Sequence, residues 1–497
     1  MFKKILIANR GEIAVRILRT CRDIGIPAVA VYSTADRGSL HVKMATEAVC
    51  IGGPQASESY MNQSNIISAA LGSGCDAIHP GYGFLAENAA FAAAVRDAGL
   101  TFIGPSPETI TLLGDKARAR SLMIEAGVPV TPGSDGALKS SDEALELASK
   151  FGYPVLLKAS SGGGGRGMRR VDRAEDLKRL YDEASKEAEM VFGDPNLYLE
   201  KLIEDCKHLE FQILADGSGN VIHLGERDCS LQRRRQKMLE ESPSPKLKPE
   251  VRDAMGEAAV KAAKAADYLG AGTVEFVVKD DDFYFIEVNT RIQVEHPVTE
   301  AVTGLDLIAE QIRLAYGANV PLEQEDVELH GHAIEVRINA EVPQRDFAPS
   351  PGIVQQMLLP GGIGVRVDTM IYPGAEVSPL YDSMVAKIIV HGKDRREAIR
   401  RLRRALEEIT LVGIETNTAF MYALMFERYF IRGDYTTQIL ENSMDRLKSY
   451  ELLVTGEGTD EETEAVFKKL GQDRERAYRD GRRKLAAFLA GEGETNE

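Results

Sequence analysis

Residues 156–171, LLKASSGGGGRGMRRV, place four consecutive glycines, an arginine and a fifth glycine directly after an apolar segment that contains a lysine. Glycine loses more backbone freedom on folding than any other residue, so such a run is either a flexible tether or a loop with a function. A tether is typically longer and rich in serine or proline. Backbone amides without neighbouring Cβ atoms can wrap a phosphate, and Lys158 adds positive charge beside them. The run therefore favours a phosphate-binding loop at a strand end over a linker.

A second segment, FYFIEVNTRIQVE at residues 283–295, is polar at every second position from Glu287 onward. If the segment is extended, five polar side chains share one face, namely Glu287, Asn289, Arg291, Gln293 and Glu295. A solvated strand face would show the same alternation. Carboxylate and amide oxygens, however, are the ligands that Mg²⁺ prefers, and Glu275 stands alone in the preceding apolar segment TVEFVV. A lone carboxylate is costly to bury unless it is paired or metal-bound, so this hairpin predicts a nucleotide–magnesium site.

The composition excludes several classes of protein. A chain of 497 residues is too long for one ordinary core and predicts several domains. No run of about eighteen apolar residues exists, so no membrane span is predicted, and the short apolar run at the N-terminus does not resemble a secretion signal. A net charge of −16 argues against nucleic acid and anionic membranes as partners. Five cysteines without a CxxC pair indicate reduced thiols, and we expect a cytoplasmic protein.

Alternating strand and helix signals predict a parallel α/β domain over residues 1–115. Its first turn has one glycine and lacks the GxGxxG dinucleotide fingerprint. A nucleotide-binding region over 116–330 contains a small α/β module at about 131–203, which carries the glycine run, followed by hairpins with the turns DGSG and KDDD. A mostly β domain over 331–447 and a charged tail over 448–497, helical or partly disordered, complete the chain. The predicted class is a multidomain α/β and α+β fold.

Seven motifs, in order, closely resemble the biotin carboxylase subunit of biotin-dependent carboxylases, which belongs to the ATP-grasp superfamily. They are IANRGEIAVR, HPGYGFLAEN, GDKARA, SSGGGGRGM, ERDCSLQRRRQK, EVNTRIQVEHPVTE and RINAE. The resemblance covers about residues 1–447 and implies an ATP-grasp domain with a mobile glycine-rich lid, followed by a C-terminal mixed β domain. It implies ATP-dependent carboxylation of biotin with bicarbonate, through carboxyphosphate.

The resemblance also implies roles for individual residues. ATP contacts are implied for Lys116, Lys158, Gly162, Gly163, Gly164, Gly165, Gly167, Glu200, Leu202, Ile203, His208, Gln232 and Gln236. Ligands for Mg²⁺ or Mn²⁺ are implied at Glu275, Glu287 and Asn289. A bicarbonate pocket is implied at Lys237, Arg291, Gln293, Val294 and Glu295, and a biotin site at Tyr82 and Arg337. The implied catalytic set is Glu295, Arg291, Lys237 and Arg337.

These residue types suit the implied chemistry. An arginine fork matches a planar oxyanion, and Glu295 can serve as a general base towards bicarbonate. In this family carboxyphosphate collapses to CO₂ and phosphate, phosphate takes the biotin ureido proton, and an arginine such as Arg337 stabilises the enolate oxygen. Arg235 stands where many members carry histidine or a neutral residue, so the resemblance does not extend to adenosine-side contacts there. No step needs a thiolate, and we expect Cys229 to be a packed thiol.

The chain lacks a biotinylated lysine flanked by methionines, since VKMAT around Lys43 is only a partial match, and no segment has the size of a carboxyltransferase. We therefore expect a homodimer that works with a separate biotin carboxyl carrier protein and with a carboxyltransferase subunit. Acetyl-CoA, propionyl-CoA and pyruvate all remain open as the final acceptor. Two other functions stay open: an ATP-grasp ligase that joins a carboxylate to an amine, and a catalytically silent nucleotide-binding scaffold. The segment EVNTRIQVEHP disfavours the first, and the intact lysines, arginines and carboxylates disfavour the second.

Overall fold

A computed structural model describes residues 1–160 and 167–455. Residues 1–115 contain the strands β1 (Ile5–Ile7), β2 (Ala28–Ser33), β3 (Glu47–Gly52), β4 (Ala77–His79) and β5 (Thr101–Phe102), and the helices α1 (Gly11–Asp23), α2 (Leu40–Met44), α3 (Gln63–Gly72), α4 (Ala89–Asp97) and α5 (Pro107–Gly114). The strands form a five-stranded sheet in the order β3-β2-β1-β4-β5, with every neighbouring pair parallel. The predicted parallel α/β architecture is confirmed. Because β1 and β4 are adjacent and parallel, the loops that follow them meet at one edge of the sheet.

A small module follows this domain. Its elements are α7 (Ser141–Phe151), β6 (Val155–Ala159), β7 (Met168–Val171), α8 (Ala174–Phe192) and β8 (Leu197–Lys201). The helix before it, α6 (Lys116–Glu125), packs instead against the eight-stranded sheet described next. The three strands form an antiparallel sheet in the order β7-β6-β8. The glycine run joins β6 to β7, as the sequence predicts. The strand end closes on Gly167, whose carbonyl accepts a hydrogen bond from the Ala159 amide at 2.8 Å. The lid glycines Gly162, Gly163, Gly164 and Gly165 lie outside the described residues.

The largest element is a sheet of eight strands that spans two predicted domains. Residues 204–330 contribute β9 (Lys207–Ala215), β10 (Val221–Arg233), β11 (Gln236–Ser242), α9 (Pro249–Ala265), β12 (Gly270–Lys279), β13 (Asp282–Asn289), α10 (His296–Thr303) and α11 (Leu307–Ala315). The strand order is β13-β12-β9-β10-β11, continued by three strands from beyond residue 331. Both predicted hairpins are present, since β9 pairs with β10 and β12 pairs with β13. The polar side chains of this sheet are therefore held in a fixed register.

The expectation that residues 283–295 form one extended segment is wrong beyond Asn289. Strand β13 ends there, and α10 begins at His296. The amide of Thr290 donates to the Glu87 side chain at 3.2 Å instead of to a neighbouring strand, and Pro297 lies in the first turn of α10. Since proline fits the first turn of a helix and cannot donate within a sheet, the chain turns before it.

The remaining elements are β14 (His332–Asn339), β15 (Glu341–Val342), β16 (Ala348–Pro349), β17 (Gly352–Ile353), β18 (Gln356–Leu358), β19 (Val365–Thr369), β20 (Glu376–Val377), β21 (Met384–Gly392), α12 (Arg395–Glu408), β22 (Thr410–Val412), α13 (Thr418–Leu424), α14 (Arg428–Arg432) and α15 (Ile439–Thr455). Strands β14, β21 and β19 extend the large sheet beyond β11. Helix α12 buries Ala398, Leu402 and Leu406 in the core of this region. Within the described ranges, no helix is both long enough and apolar enough to cross a bilayer.

Truncation of a side chain in this core should destabilise the fold. Leu402 is completely buried on α12, so Leu402→Ala should lower the free energy of unfolding by about 2–5 kcal/mol through lost burial and the cavity left behind. Urea unfolding followed by circular dichroism measures the change. The exposed neighbour Arg400→Ala is the control and should change stability by less than about 0.5 kcal/mol. Equal effects of the two changes would contradict the assignment of Leu402 to the core.

Candidate functional site

The centre of the site is the ammonium group of Lys237, on β11. Its Nζ atom lies 2.5 Å from Glu210 Oε2, 2.9 Å from Glu275 Oε1 and 2.7 Å from Glu295 Oε1. Burial alone lowers the pKa of this ammonium, but the three carboxylates outweigh burial and hold the pKa well above its ordinary value. Lys237 is therefore a permanent cation at neutral pH, fixed between strands that are distant in the sequence.

Glu295 is a carboxylate held in its ionised form. It is almost completely buried at the residue before α10, and its Oε2 atom lies 2.9 Å from the Nη2 atom of Arg337 on β14. Burial raises the pKa of Glu295, but Lys237, Arg337 and Arg227 together lower it well below its usual range. Glu295 is therefore in the unprotonated form that a general base needs, while the cations that keep it ionised also weaken its basicity.

Glu275 lies where the sequence predicts it, directly opposite Glu287 across the pair β12–β13. The side-chain amides of Asn289 and Gln293 donate to its Oε1 atom at 2.9 and 3.0 Å. Its Oε2 atom lies 2.9 Å from Nε2 of His208. Burial raises the pKa of Glu275, but Lys237 and His208 outweigh burial, so the pKa of this carboxyl lies well below its ordinary value. The buried carboxylate is thus satisfied by several donors, as the sequence argument required.

Two predicted phosphate-side lysines lie beside this cluster. Lys116 Nζ is 2.7 Å from Glu287 Oε2, and burial of Lys116 is outweighed by Glu287, Glu200 and Glu275, which raise its pKa. Lys158, on β6, forms a buried ion pair with Glu200 on β8. The carboxylates of Glu200, in the small module, and Glu275, in the large sheet, both raise the pKa of Lys116. The small module and the large sheet therefore meet at this lysine.

The donor set at Glu275, Glu287 and Asn289 fits a hard divalent cation. Two carboxylates face each other across paired strands, and the amide of Asn289 lies on the same hairpin, so the site offers oxygen ligands. Side-chain exposure is 27% for Glu287 and 6% for Glu275, so a cation can approach from the Glu287 side. A second group of ligand-type atoms, from His208, Glu210 and Glu275, lies within 4.8 Å of one another, and the Lys237 ammonium contacts both carboxylates of this group.

The loop between β13 and α10 carries the rest of the implied bicarbonate pocket. Arg291 Nε lies 2.8 Å from Glu87 Oε2, and its Nη2 atom donates to Asn289 Oδ1 at 3.3 Å. The carbonyl oxygen of Val294 accepts a hydrogen bond from Lys387 at 2.7 Å. The turn after Asn289, rather than an extended strand, brings Arg291, Gln293, Val294 and Glu295 to one place.

Of the remaining predicted site residues, some contact the residues described above and others lie farther away. Gln232 is close to His208, with Nε2 3.4 Å from Nδ1. Leu202 and Ile203 are half-buried directly after β8, and Gln236 is exposed at the start of β11. The hydroxyl of Tyr82 donates to Glu12.

The structure also shows the surroundings of Arg235, where many family members carry another residue, and of Cys229, which was expected to be a packed thiol. Arg235 has a positive φ of 67° at the β10–β11 turn. Cys229 is completely buried, 3.9 Å from Glu295 Oε1, and burial raises the pKa of its thiol well above normal. This supports the expectation of a packed thiol.

Sequence reasoning missed three buried charged residues, Glu210, Arg227 and Glu240. Glu210 lies opposite Glu275 in the pair β9–β12 and contacts Lys237. Arg227 is fully buried and its Nε atom donates to Glu210 Oε1 at 2.6 Å. A signal for Glu210 was present, because it is the one acidic residue in the mostly apolar segment HLEFQILA, as Glu275 is in TVEFVV.

An antiparallel sheet with buried carboxylates, faced by lysines and preceded by a small module whose sequence carries a glycine-rich segment, is typical of an ATP-grasp nucleotide-binding enzyme. Residues 1–110 match the family described as "Biotin carboxylase, N-terminal domain", residues 115–323 match "Carbamoyl-phosphate synthase L chain, ATP binding domain", and residues 335–442 match "Biotin carboxylase C-terminal domain". The chain belongs to the biotin carboxylase family.

Individual relatives agree with this assignment. The chain is 56% identical to biotin carboxylase 1 of Bacillus subtilis over 443 residues, which covers 89% of this chain and 98% of the relative. It is 51% identical to a pyruvate carboxylase subunit of Methanothermobacter thermautotrophicus, covering 89% and 90%. The crystal structure of the biotin carboxylase domain dimer of the Hydrogenobacter thermophilus 2-oxoglutarate carboxylase, with MgADP and bicarbonate, matches with a TM-score of 0.87 at 50% identity, covering 90% and 99%.

The titration of Glu240 gives a pH-dependent prediction. Burial raises the pKa of Glu240, Arg337 opposes this, and the net pKa is about 7. A glutamate in an unfolded chain titrates near pH ~4.3, so between these values the folded protein keeps a proton that the unfolded chain has lost. The free energy of unfolding of the wild type should therefore fall with rising pH across this window, relative to Glu240→Gln, by about 2–4 kcal/mol.

Urea unfolding of both proteins at several pH values between about 5 and 8 measures this difference. The Gln variant keeps the shape of the neutral acid and removes its ionisation. A stability difference that does not change with pH would show that Glu240 does not titrate in this range.

Proposed function

We propose that this chain catalyses the ATP-dependent carboxylation of biotin by bicarbonate, as the biotin carboxylase component of a biotin-dependent carboxylase. The observation that carries this function is the arrangement of Lys237, Glu295 and Arg337, in which one ionised carboxylate lies between two cations. Relatives support it, since the Hydrogenobacter domain contains MgADP and bicarbonate and a Campylobacter jejuni biotin carboxylase of 48% identity is a β-γ-ATP complex.

In the proposed first step, bicarbonate binds against Arg291 and Lys237, and Glu295 accepts its proton. The freed oxygen attacks the γ-phosphorus of ATP, the bond from that phosphorus to the bridging oxygen breaks, and ADP and carboxyphosphate form. In the free protein Lys237 and Arg337 hold the pKa of Glu295 low. Because a bound anion takes up part of the Lys237 charge, its arrival strengthens Glu295 as a base.

Phosphate positioning is proposed for Lys116 and Lys158, together with the loop from Gly162 to Gly167. Adenosine contacts are proposed for Glu200, Leu202, Ile203, His208, Gln232 and Gln236. Glu275, Glu287 and Asn289 would hold Mg²⁺ or Mn²⁺, which when bound neutralises charge on the phosphate oxygens. Support comes from the position of Lys116 at the junction of the small module and the large sheet, next to Glu287.

The second step is proposed to take place beside Arg337 and Tyr82. Carboxyphosphate yields CO₂ and phosphate, phosphate removes the ureido proton of biotin, and the nucleophilic nitrogen forms the new bond to CO₂. Arg337 is positively charged, because Glu240 and Glu295 outweigh burial and raise its pKa. A guanidinium in this place stabilises negative charge that develops on the ureido oxygen.

We propose a biotin carboxyl carrier protein and a carboxyltransferase subunit as partners, and a cytoplasmic location. We also propose that the domains divide near residues 115, 330 and 447. The final acceptor stays open, since the relatives include both biotin carboxylases and a pyruvate carboxylase subunit.

Hydrolysis of ATP tests the proposed activity. The wild type with Mg²⁺ should hydrolyse ATP only when bicarbonate is present, and free biotin should raise the rate. Glu295→Gln removes the proton acceptor and Lys237→Ala removes the central cation, so each should lower kcat by about 100-fold or more. The exposed Glu376→Gln, on β20, is the matched control and should leave kcat unchanged.

Other outcomes would select the alternatives. Tight ATP binding without turnover would indicate the silent scaffold. Turnover that ignores bicarbonate but requires an amine would indicate the carboxylate–amine ligase.

A homodimer is proposed from the dimeric Hydrogenobacter relative. Ile363, before β19, is 85% exposed, which suits a residue covered by a second copy. Light scattering coupled to size exclusion should give a dimer mass for the wild type and a monomer mass for Ile363→Glu, since a charge would be buried in the contact. The control Leu71→Glu changes an apolar residue that is 53% exposed on α3 and should remain dimeric. A dimer in both variants would place the interface elsewhere.

A further inference from the structure

Lys387 is a completely buried lysine, outside every set of residues that the sequence predicted for the site. It lies on β21, and its Nζ atom is 2.7 Å from the carbonyl oxygen of Val294 and 2.8 Å from Glu12 Oε1. Burial lowers the pKa of Lys387, but Glu12, Glu335 and Asp368 outweigh it and raise the pKa. The ammonium is thus charged, has no access to water, and is held by one carboxylate and one carbonyl.

Glu12 connects this lysine to a second part of the protein. It is 4% exposed near the start of α1, and its Oε2 atom accepts the hydrogen bond from the Tyr82 hydroxyl. Tyr82 follows β4 and lies within the electrostatic field of Arg337. Four residues therefore form one connected chain, in the order Tyr82, Glu12, Lys387 and the Val294 carbonyl.

The two ends of this chain belong to different subsites of the proposed reaction. Tyr82 lies with Arg337 on the side proposed for biotin, whereas Val294 immediately precedes Glu295 on the side proposed for bicarbonate. A buried ion pair cannot exchange its partners for water, so a shift at one end changes the energy of the other. Coupling between two ligands is reciprocal, so biotin should alter the binding of bicarbonate as much as bicarbonate alters that of biotin.

We propose that Glu12 and Lys387 are positioning residues that couple occupation of the biotin subsite at Tyr82 to the position of Val294 in the bicarbonate subsite. The inference rests on the proposed function, because it names the communication between two substrates of that reaction. Neither residue touches a reacting atom. Lys387 orients the loop that carries Glu295, and Glu12 transmits the state of Tyr82 to Lys387.

Glu335 provides a matched control for this chain. It is completely buried on β14 near Lys387, yet neither of its carboxylate oxygens has a hydrogen-bond partner among the described residues. Burial raises the pKa of Glu335 well above its ordinary value, while Lys387 opposes this. Glutamine has the shape of the neutral acid. Glu335→Gln therefore makes the same side-chain substitution as Glu12→Gln beside the same lysine, but at a carboxyl that makes no hydrogen bond among the described residues and lies outside the connected chain.

The test measures bicarbonate-dependent ATP hydrolysis over a range of bicarbonate concentrations, with and without saturating free biotin. The coupling factor is the ratio of the KM for bicarbonate without biotin to that with biotin, and it should be about fivefold or more in the wild type. Glu12→Gln and Lys387→Met should each reduce the ratio to about one. The KM for ATP should change by less than about twofold in both variants. A general loss of structure would change the KM for ATP as well, so this measurement separates the two causes.

Lys387→Met should also raise the KM for bicarbonate itself by about tenfold, because the Val294 carbonyl loses its donor. If Lys387→Met fails to fold, as thermal melting would show, Glu12→Gln alone decides. A wild-type ratio of one, a wild-type ratio retained in Glu12→Gln, or an equal loss in Glu335→Gln would overturn the inference. A wild type with no bicarbonate-dependent hydrolysis would overturn the proposed function and this inference together, so the two failures are distinct.

Discussion

The ion cluster around Lys237 is the constraint on which the rest of this structure depends. Removing a charge from water costs several kcal/mol, so a largely buried lysine such as Lys237 persists only where partners surround it. Its partners come from β9, β12 and the loop before α10, and Arg227 adds a second buried cation beneath Glu210. Misplacing any of these strands would leave a charge unpaired. The strand order that folds the large sheet is therefore also the strand order that assembles the charged groups of the site.

The same cluster prepares the protein for an anionic substrate. Each carboxylate in it already has a cation, so the site is near electrical balance before a ligand arrives. A bound anion replaces one carboxylate as the partner of a cation, and the charged groups that receive the anion are already in position. The arrangement explains why one residue, Glu295, is contacted by cations from both sides, and why those cations lie on adjacent strands, β11 and β14.

Much of this could be predicted from the sequence, and the limits have physical reasons. The Glu275–Glu287 pairing followed from period-two alternation and a short turn, because register in a hairpin is set locally. The end of β13 at Asn289 could be predicted only in part, since Pro297 indicates a turn into α10 but the Thr290–Glu87 contact joins residues that are distant in the sequence. Lys387 stands alone in the apolar segment MVAKIIVHG, which indicates a buried charge, but its partners could not be identified because they lie in distant elements. The roles of individual residues came from family resemblance rather than from patterns.

The continuous sheet has a consequence for how such proteins can be divided and recombined. Strand β11 carries Lys237 and pairs directly with β14, which carries Arg337. Cutting the chain between them would leave β11 as an open edge, with unpaired backbone donors in the middle of the site. The C-terminal third is thus not a module that can be exchanged freely between relatives. Any exchange must preserve the backbone register between these two strands, so the two halves of the sheet are constrained to evolve together.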